Sequence, residues 1–163
     1  MSREQDLQRA LHHYQQVTGE TEIDMHKVAR FAVERLGMKL PPPLDPYARL
    51  AKDLSKAARS EVRYDKVTGR PYRANHAVTT NTGKGTQTTF WIDIDNTKRA
   101  HMQKSLVQRR EQMVGDGVQL SLDADHWNSS HPAEAPIELP MDLSPDIEWA
   151  KNGLDEPEGK TGS

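Results

Sequence analysis

Apolar residues in the first part of the chain recur at helical spacing and predict three helices. The first helix is expected over residues 2–17, where the apolar positions are Leu7, Leu11, Tyr14 and Val17. A second helix is predicted between Asp24, as N-cap, and Gly37, since glycine favours the left-handed conformation that ends a helix. A third helix should begin at Asp45 and Pro46, because Asp caps helices and Pro is favoured at their first position.

Beyond the third helix the apolar spacing changes to the alternation that is typical of strands. A glycine-containing loop at residues 80–85 separates two alternating runs, which predicts a β-hairpin. The inward positions of these runs are Tyr72, Ala74, His76 and Val78, and then Phe90, Ile92 and Ile94. A turn is expected at residues 65–71, so that residues 62–64 form a short extra strand.

Residues 97–128 carry two competing periodicities. One short run alternates as in a strand, but an apolar stripe recurs every seven residues. This stripe consists of Leu106, Met113, Leu120 and Trp127. The longer repeat predicts a single helix capped by Asp95 or Asn96, at a cost of about 1 kcal/mol for each of Gly115 and Gly117. A break near Gly115 is the alternative.

The last part of the chain differs from the rest in composition. Residues 129–163 contain five prolines among acidic and apolar residues, so regular helix is not expected there. The segment is either disordered or an extended strap that docks on the body or on a partner, and it should be mobile from about Asn152. The sequence thus predicts an α+β domain over residues 1–128, followed by an acidic proline-rich tail over residues 129–163.

The composition narrows the function classes. The chain has no cysteine, which excludes disulfides, thiolate metal sites and thiol nucleophiles, and no pattern indicates a cofactor. No stretch approaches the roughly 20 apolar residues that span a bilayer, and the N-terminus lacks the apolar run of a signal peptide. We therefore expect a cytoplasmic protein without a membrane partner.

Charge is distributed unevenly along the chain. Residues 1–121 carry 20 Lys and Arg against 14 Asp and Glu, whereas residues 122–163 carry 2 against 10. A basic body with an acidic end favours an anionic partner for the body, or a tail that folds back on it.

The predicted order of elements over residues 24–96 resembles the winged-helix arrangement, here a three-helix core with a hairpin wing and a long C-terminal helix. The resemblance implies that the third helix enters the DNA major groove and that the wing contacts the neighbouring backbone. The candidate nucleic-acid-binding residues are the cations of these two elements, and the helical stripe is complete only if the helix reaches Arg63. They are Arg49, Lys52, Lys56, Arg59, Arg63, Arg70, Arg73 and Lys84. A solvated helix face gives the same pattern, and both interpretations stay open.

Two other functions compete with DNA binding. One is a protein-interaction module in which the long helix and the acidic, apolar tail bind another protein. The heptad stripe Leu106, Met113, Leu120 and Trp127 favours a homodimer or another protein partner, because one small domain does not readily cover so long a helix. The other alternative is a hydrolase with a divalent metal. Its candidate ligands are Asp93, Asp95, Asp116, Asp123 and His126. Catalysis is the less favoured class, and His76, on the apolar side of its strand, is expected to be a hydrogen-bonded core histidine.

A segment of the predicted long helix carries a further resemblance. The run Arg109-Arg110-Glu111-Gln112-Met113-Val114-Gly115-Asp116, with Asp123-Ala124-Asp125-His126-Trp127-Asn128 after it, resembles uncharacterised bacterial proteins found in mobile-element settings. The resemblance extends over about residues 20–150. It implies a bacterial or phage origin and implies no activity.

Overall fold

The chain has an α+β fold in two compact units, Met1–Arg49 and Leu50–Ser163. The computed structural model describes residues 2–83 and 85–155. The helices in this part of the chain are α1 (Arg3–Thr18), α2 (Met25–Leu36), α3 (Pro46–Ser60), α4 (Arg99–Ser130) and α5 (Ser144–Gly153). The strands are β1 (Val62–Tyr64), β2 (Pro71–Arg73), β3 (Asn75–Asn81) and β4 (Gln87–Asp93). The division into units falls within α3, at a different place from the boundary after residue 128 that charge and composition suggest.

Capping side chains and terminal glycines set the ends of α1 and α2, and for α2 they are the predicted Asp24 and Gly37. The Ser2 hydroxyl accepts a hydrogen bond from the backbone N–H of Gln5 at 3.2 Å, and the Asp24 carboxylate accepts one from the N–H of His26 at 2.9 Å. Both helices end at a glycine with positive φ, 67° at Gly19 and 68° at Gly37. These contacts satisfy backbone groups that have no partner inside a helix.

Small and aromatic side chains hold α1 and α2 together as a helical hairpin. Ala10 and Tyr14 of α1 and Val28 and Ala32 of α2 are buried. The ring of Phe31 meets the edge of Tyr14 at a centroid distance of 5.4 Å, a geometry that aromatic pairs favour.

The third helix begins as predicted and ends earlier than the proposed cationic stripe requires. The Asp45 carboxylate accepts from the N–H of Ala48 at 3.2 Å, with Pro46 in the first position of α3. The helix ends at Ser60, so it does not reach Arg63 and the condition for a complete stripe is not met. Its continuation is stopped by strand pairing, because the carbonyl of Glu61 already accepts from the N–H of Ala74 at 3.1 Å.

The second unit contains two antiparallel hairpins joined at Ala74. The predicted extra strand is confirmed, since β1 pairs with β2, and the predicted hairpin is formed by β3 and β4. The alternating run from Tyr72 to Val78 is two strands rather than one. Ala74 lies between them, and its carbonyl accepts from the N–H of Ile94 at 2.9 Å, so one residue bonds to both hairpins.

The long helix α4 is confirmed, and it continues without a break through both glycines. The prediction that Asp95 or Asn96 caps it is wrong. Lys98 occupies the N-cap position without a side-chain hydrogen bond, while Asp95 bonds to Arg63 and Tyr72 instead. A carboxylate already engaged by a guanidinium is not available to a helix terminus.

Polar side chains fasten α4 to β3. The hydroxyl of the fully buried Ser105 donates to the carbonyl of Ala77 at 2.8 Å. The Gln108 amide accepts from the N–H of Thr79 at 3.1 Å and donates to its carbonyl at 2.7 Å. Together with the buried Ala74 and Val78, these contacts form the centre of the second unit.

The C-terminal segment contains a helix, so the expectation that it lacks regular helix is wrong. Pro145 stands in the first turn of α5, the one place where a helix accepts proline, and Asp146 adds a favourable negative charge there. Asn152, from which the segment is expected to be mobile, belongs to this helix. Residues 156–163, which the same prediction covers, lie outside the described residues.

Residues 135–143, here called the strap, run beside α4 in an extended conformation. The Asn128 side chain bonds both backbone groups of Ile137, at 2.8 and 3.0 Å. A Cβ atom at Gly117 would lie 3.5 Å from the Met141 methyl group, so the glycine brings the strap close to the helix. The strap therefore lies beside α4 with its apolar side chains still 44% to 50% exposed, and docking of these side chains on the body or on a partner stays a prediction.

The described helices include none that is both long and apolar enough to cross a membrane. Because α1 and α2 belong to one unit and the hairpins with α4 to the other, the winged-helix arrangement as a whole stays a prediction.

Candidate nucleic-acid interface

A concave site in the second unit collects three arginine side chains. The site is a cavity of about 220 Å³ between the end of α3, the strands and the side of α4 that faces β3. Its lining contains no carboxylate. The lining residues are Arg59, Arg73, Asn75, His76, Ala77, Thr79, Trp91, Gln108, Arg109 and Gln112. We call this site the arginine cavity.

His76 forms the buried base of the arginine cavity. It is 6% exposed, and its Nε2 atom lies 2.9 Å from the carbonyl oxygen of Arg73. A carbonyl oxygen only accepts, so Nε2 carries a proton and donates it to this bond. The nearest guanidinium nitrogen, Nη1 of Arg109, lies 3.5 Å from Nδ1. His76 is therefore the hydrogen-bonded core histidine that the strand pattern predicts, and Arg109 lies beside it.

Arg59 reaches the cavity from the last turn of α3. Its guanidinium carbon lies 5.4 Å from the centre of the Trp91 ring. At this distance the negative face of an indole attracts a cation, and the flat guanidinium keeps its edge donors free. Trp91 thus holds Arg59 at the cavity without neutralising it.

Arg73 and Arg109 complete the cationic lining. Among the described residues, no carboxylate lies within 4.0 Å of these two guanidinium groups or of that of Arg59. The ion pairs in this part of the chain involve Arg63, Arg70 and Lys151 instead. Guanidinium groups gathered in a concave surface without an acid favour an anion that accepts several hydrogen bonds. A phosphate group fits this description.

The structure divides the predicted nucleic-acid-binding cations into different groups. Arg59 and Arg73 line the cavity, and Lys52 and Lys56 are exposed on α3. Arg49 is exposed at the end of the first unit. Lys84 lies outside the described residues. The two remaining cations, Arg63 and Arg70, are occupied by carboxylates.

Arg63 belongs to an ion-pair cluster instead of the helical stripe. Its guanidinium donates to Asp93 and Asp95, and these bonds raise its pKa. The bonds from Arg63, with a smaller contribution from the backbone N–H of Asp95, lower the pKa of Asp93 to about 2. Tyr72 donates to Asp95 at 3.0 Å, which raises the pKa of the phenol. The predicted metal ligands Asp93 and Asp95 are thus engaged by a cation.

Arg70 is held by the C-terminal segment. Its Nε and Nη2 atoms donate to the two carboxylate oxygens of Asp155, at 3.0 and 2.6 Å. The bonds raise the pKa of Arg70 and lower that of Asp155. One cation of the body is therefore covered by an acid of the tail.

The metal-site alternative finds no support in the geometry. Within residues 2–83 and 85–155, no three His, Asp or Glu side chains come together in a way that could hold a metal ion. Asp116, Asp123 and His126 lie along α4, and Asp123 accepts a hydrogen bond from Gln119 at 2.9 Å.

The predicted interface residues on α4 are exposed. Leu106 is 49% exposed, Met113 54%, Leu120 48% and Trp127 43%. The packing of α4 on β3 and on the strap therefore leaves this heptad stripe at the surface.

Several residues of the arginine cavity were not among the predicted binding residues. Arg109 and Gln112 lie on the polar face of α4, where spacing alone gives no sign that β3 packs against them. Trp91 alternates with inward residues of its strand, as a solvent-facing aromatic also would. The pairing of β3 with β4 and the packing of α4 on β3 bring Trp91, Arg109 and Gln112 together.

Comparison with protein-family models, with curated proteins and with solved structures gave no match.

Proposed function

We propose that this protein binds nucleic acid, in the first place DNA, and that the arginine cavity holds a backbone phosphate. The observation that carries the proposal is the convergence of Arg59, Arg73 and Arg109 on one cavity whose lining contains no acid. Bringing three like charges together has an electrostatic cost, which a bound anion offsets. Displacement of counterions from the phosphates supplies the free energy of association.

The volume of the cavity favours a phosphate that is part of a larger molecule. A cavity of about 220 Å³ is smaller than the roughly 300–1,000 Å³ of most small-molecule pockets. It accommodates a phosphate and leaves the remainder of the ligand outside. A polymer of phosphates meets this condition and reaches further cations on the surface.

The surface near the cavity supports a longer contact. Lys52 and Lys56 precede Arg59 on α3 at helical spacing, and both are exposed. The β3–β4 hairpin carries threonine hydroxyls toward its tip, and several of them bond to one another and to the hairpin backbone, which gives the hairpin a polar surface. In this proposal α3 and the hairpin act together, as the helix and wing do in winged-helix proteins.

Two amide side chains of the cavity already have hydrogen-bond partners, which favours binding through backbone phosphates over recognition of the base sequence. Asn75 donates to Glu61 at 2.8 Å and to the carbonyl of Ala58 at 3.2 Å. Gln108 is engaged by the backbone of Thr79. Amides occupied in this way are not free to read adenine, and α3 itself contains no Asn or Gln.

Fluorescence anisotropy with a short labelled DNA duplex at low salt tests the proposal. The variants Arg73→Gln and Arg109→Gln should each weaken binding at least about tenfold, which corresponds to the loss of one charge-assisted contact. The control is Arg9→Gln on α1, which removes the same charge outside the second unit and should leave the dissociation constant within about a factor of three of the wild-type value.

Two results would contradict the proposal. If the wild-type chain bound neither DNA nor RNA at low salt, nucleic-acid binding itself would be wrong. If Arg9→Gln weakened binding as much as the cavity variants did, binding would depend on overall charge and the cavity would have no special part in it.

The second candidate, a protein-interaction module, is supported by a separate observation, which is the exposure of the apolar side chains of α4.

A further inference from the structure

The second unit leaves most of its large apolar side chains uncovered. Between Leu106 and Leu154, fifteen such residues on α4 and the C-terminal segment are 43% to 80% exposed. The described part of this unit buries only two apolar residues, Ala74 and Val78. These side chains lie on more than one face of α4, since Val114, Val118 and Leu122 line a groove with the C-terminal segment, and exposed apolar surface of this extent marks a site of interaction. We call these fifteen side chains the α4 layer.

The uncovered area matches what a protein interface requires. A whole side chain of this kind carries roughly 60–120 Å² of apolar area, so fifteen half-exposed side chains leave roughly 450–900 Å² on each copy. A standard interface takes about 800 Å² from each partner. The total over the α4 layer, which includes both sides of α4 and the C-terminal segment, is thus comparable to the area of one standard interface.

The charges around the α4 layer are segregated along the chain. Residues 98–110 carry five Lys and Arg and no acid, whereas residues 111–150 carry nine Asp and Glu and no Lys or Arg. A second copy lying parallel to the first would place like charges together. An antiparallel copy places the basic segment of each chain beside the acidic segment of the other, which favours this orientation.

The apolar stripe of α4 is symmetric about its own centre. A two-fold axis between Asp116 and Gly117 places Leu106 opposite Trp127 and Met113 opposite Leu120. The same axis places Arg110 opposite Asp123 of the other copy. One surface thus supplies both halves of an isologous contact, the usual form of a homodimer.

We propose that the partner of the α4 layer is a second copy of this chain, paired antiparallel about a two-fold axis near Asp116 and Gly117. The groove beside the stripe extends the contact, since Met113 and Val118 of α4 and Met141 and Ile147 of the C-terminal segment line an apolar space of about 660 Å³. The fifteen side chains of the α4 layer include none of the residues that line the arginine cavity, so each proposal can be tested with its own variants.

Sedimentation velocity of the full chain tests the pairing directly. The wild-type protein should sediment as a dimer at micromolar concentration, and Leu120→Asp should raise the dimer dissociation constant at least tenfold while helicity is retained. The matched control is Leu7→Asp on α1, since Leu7 is 49% exposed and Leu120 is 48% exposed. A wild-type chain that is monomeric at high micromolar concentration overturns the proposal, as does a Leu120→Asp chain that dimerises like the wild type.

Charge reversal keeps the proposal testable if Leu120→Asp fails to fold. One variant is Arg110→Glu and the other is Asp123→Lys, since the proposed axis places these two charges opposite each other. Each variant alone should lose the dimer, and an equimolar mixture should recover it as a heterodimer, because only the mixture restores opposite charges. Variants that dimerise alone, or a mixture that stays monomeric, would show that another partner covers the α4 layer.

Cysteine cross-linking determines the orientation, since the chain has no cysteine of its own. Asp116→Cys lies next to the proposed axis and should form a disulfide between two copies under mild oxidation. Leu106→Cys should not, because the two copies of this residue would be about 31 Å apart along antiparallel helices. Cross-linking through Leu106→Cys, or none through Asp116→Cys, would overturn the antiparallel pairing.

Discussion

Arg63 of β1 donates two hydrogen bonds to Asp93 of β4, from Nη1 to Oδ1 and from Nη2 to Oδ2, each 2.8 Å long. The pair joins the two hairpins across 30 residues of sequence, and Nη1 also donates to Asp95 at 2.6 Å. The two-pronged geometry gives the strongest kind of protein ion pair. Arg63 therefore has a structural role that separates it from the other cations near α3.

The pKa of Asp93 predicts how stability changes in acid. The group has a pKa of about 2 in the folded protein, against its ordinary value of 3.8, because the ionised form is held by Arg63 and then by the backbone N–H of Asp95. A lowered pKa means that the stabilisation is complete above about pH 4 and is lost as the pH falls toward 2. Asp93→Asn should therefore melt at a lower temperature than the wild type at pH 7, and the difference should shrink between pH 4 and pH 2.

The matched control for this measurement is Asp125→Asn, because Asp125 has no cation within 4.0 Å in the described residues. Its melting temperature should follow that of the wild type over the whole pH range. If the gap between wild type and Asp93→Asn stays constant from pH 7 to pH 2, the ion pair does not contribute through its ionised form.

Two arginines of neighbouring strands should have opposite effects when they are replaced. Arg63→Gln breaks the pair with Asp93, so it should lower the melting temperature and leave DNA affinity close to that of the wild type. Arg73→Gln removes a cation of the arginine cavity, so it should lower DNA affinity and leave the melting temperature nearly unchanged. Thermal melts and anisotropy on both variants check this, and equal losses of affinity would place Arg63 on the binding surface after all.

Gln108 connects α4 to β3 by bonding both backbone groups of Thr79. Gln108→Ala leaves these partly buried groups without partners, which typically costs about 1–3 kcal/mol. Urea unfolding should show a lower free energy of unfolding by an amount in this range. Gln103→Ala, at an exposed position of the same helix, should change it by less than about 0.5 kcal/mol. Equal effects of the two variants would contradict the specific role of Gln108.

The bond between Asp155 and Arg70 predicts that the acidic tail competes with nucleic acid. Asp155→Asn removes the charge that covers Arg70, so DNA affinity should rise, most clearly at low ionic strength, where screening is weakest. Truncation after Asn128 removes the other acids as well and should raise it further if the chain stays folded. Asp125→Asn again serves as the control. Unchanged affinity of Asp155→Asn at low salt would mean that the tail does not compete at this position.

The sequence predicts the local elements of this protein well, because their ends depend on neighbouring residues. Asp24, Gly37 and the Asp45-Pro46 pair act on their own helices, and each has the expected effect. The long helix also follows from the sequence, since its seven-residue repeat extends through Gly115 and Gly117.

The errors arise where distant residues compete for the same groups. The end of α3 depends on Ala74, which takes the carbonyl of Glu61, and the N-cap of α4 depends on Arg63, which engages Asp95. The arginine cavity depends on the packing of α4 on β3, which places Arg109 beside His76. Spacing along one element contains no information about such partners.

The most direct test of nucleic-acid binding through the arginine cavity is the dependence of the dissociation constant on salt. The logarithm of the association constant should fall linearly with the logarithm of salt concentration, and each phosphate contact on duplex DNA contributes a slope of about 0.9. Replacing Arg59, Arg73 and Arg109 together with Gln should weaken binding and reduce the slope by up to about three contacts, with helicity unchanged. A folded triple variant that keeps the wild-type affinity and slope would contradict the account.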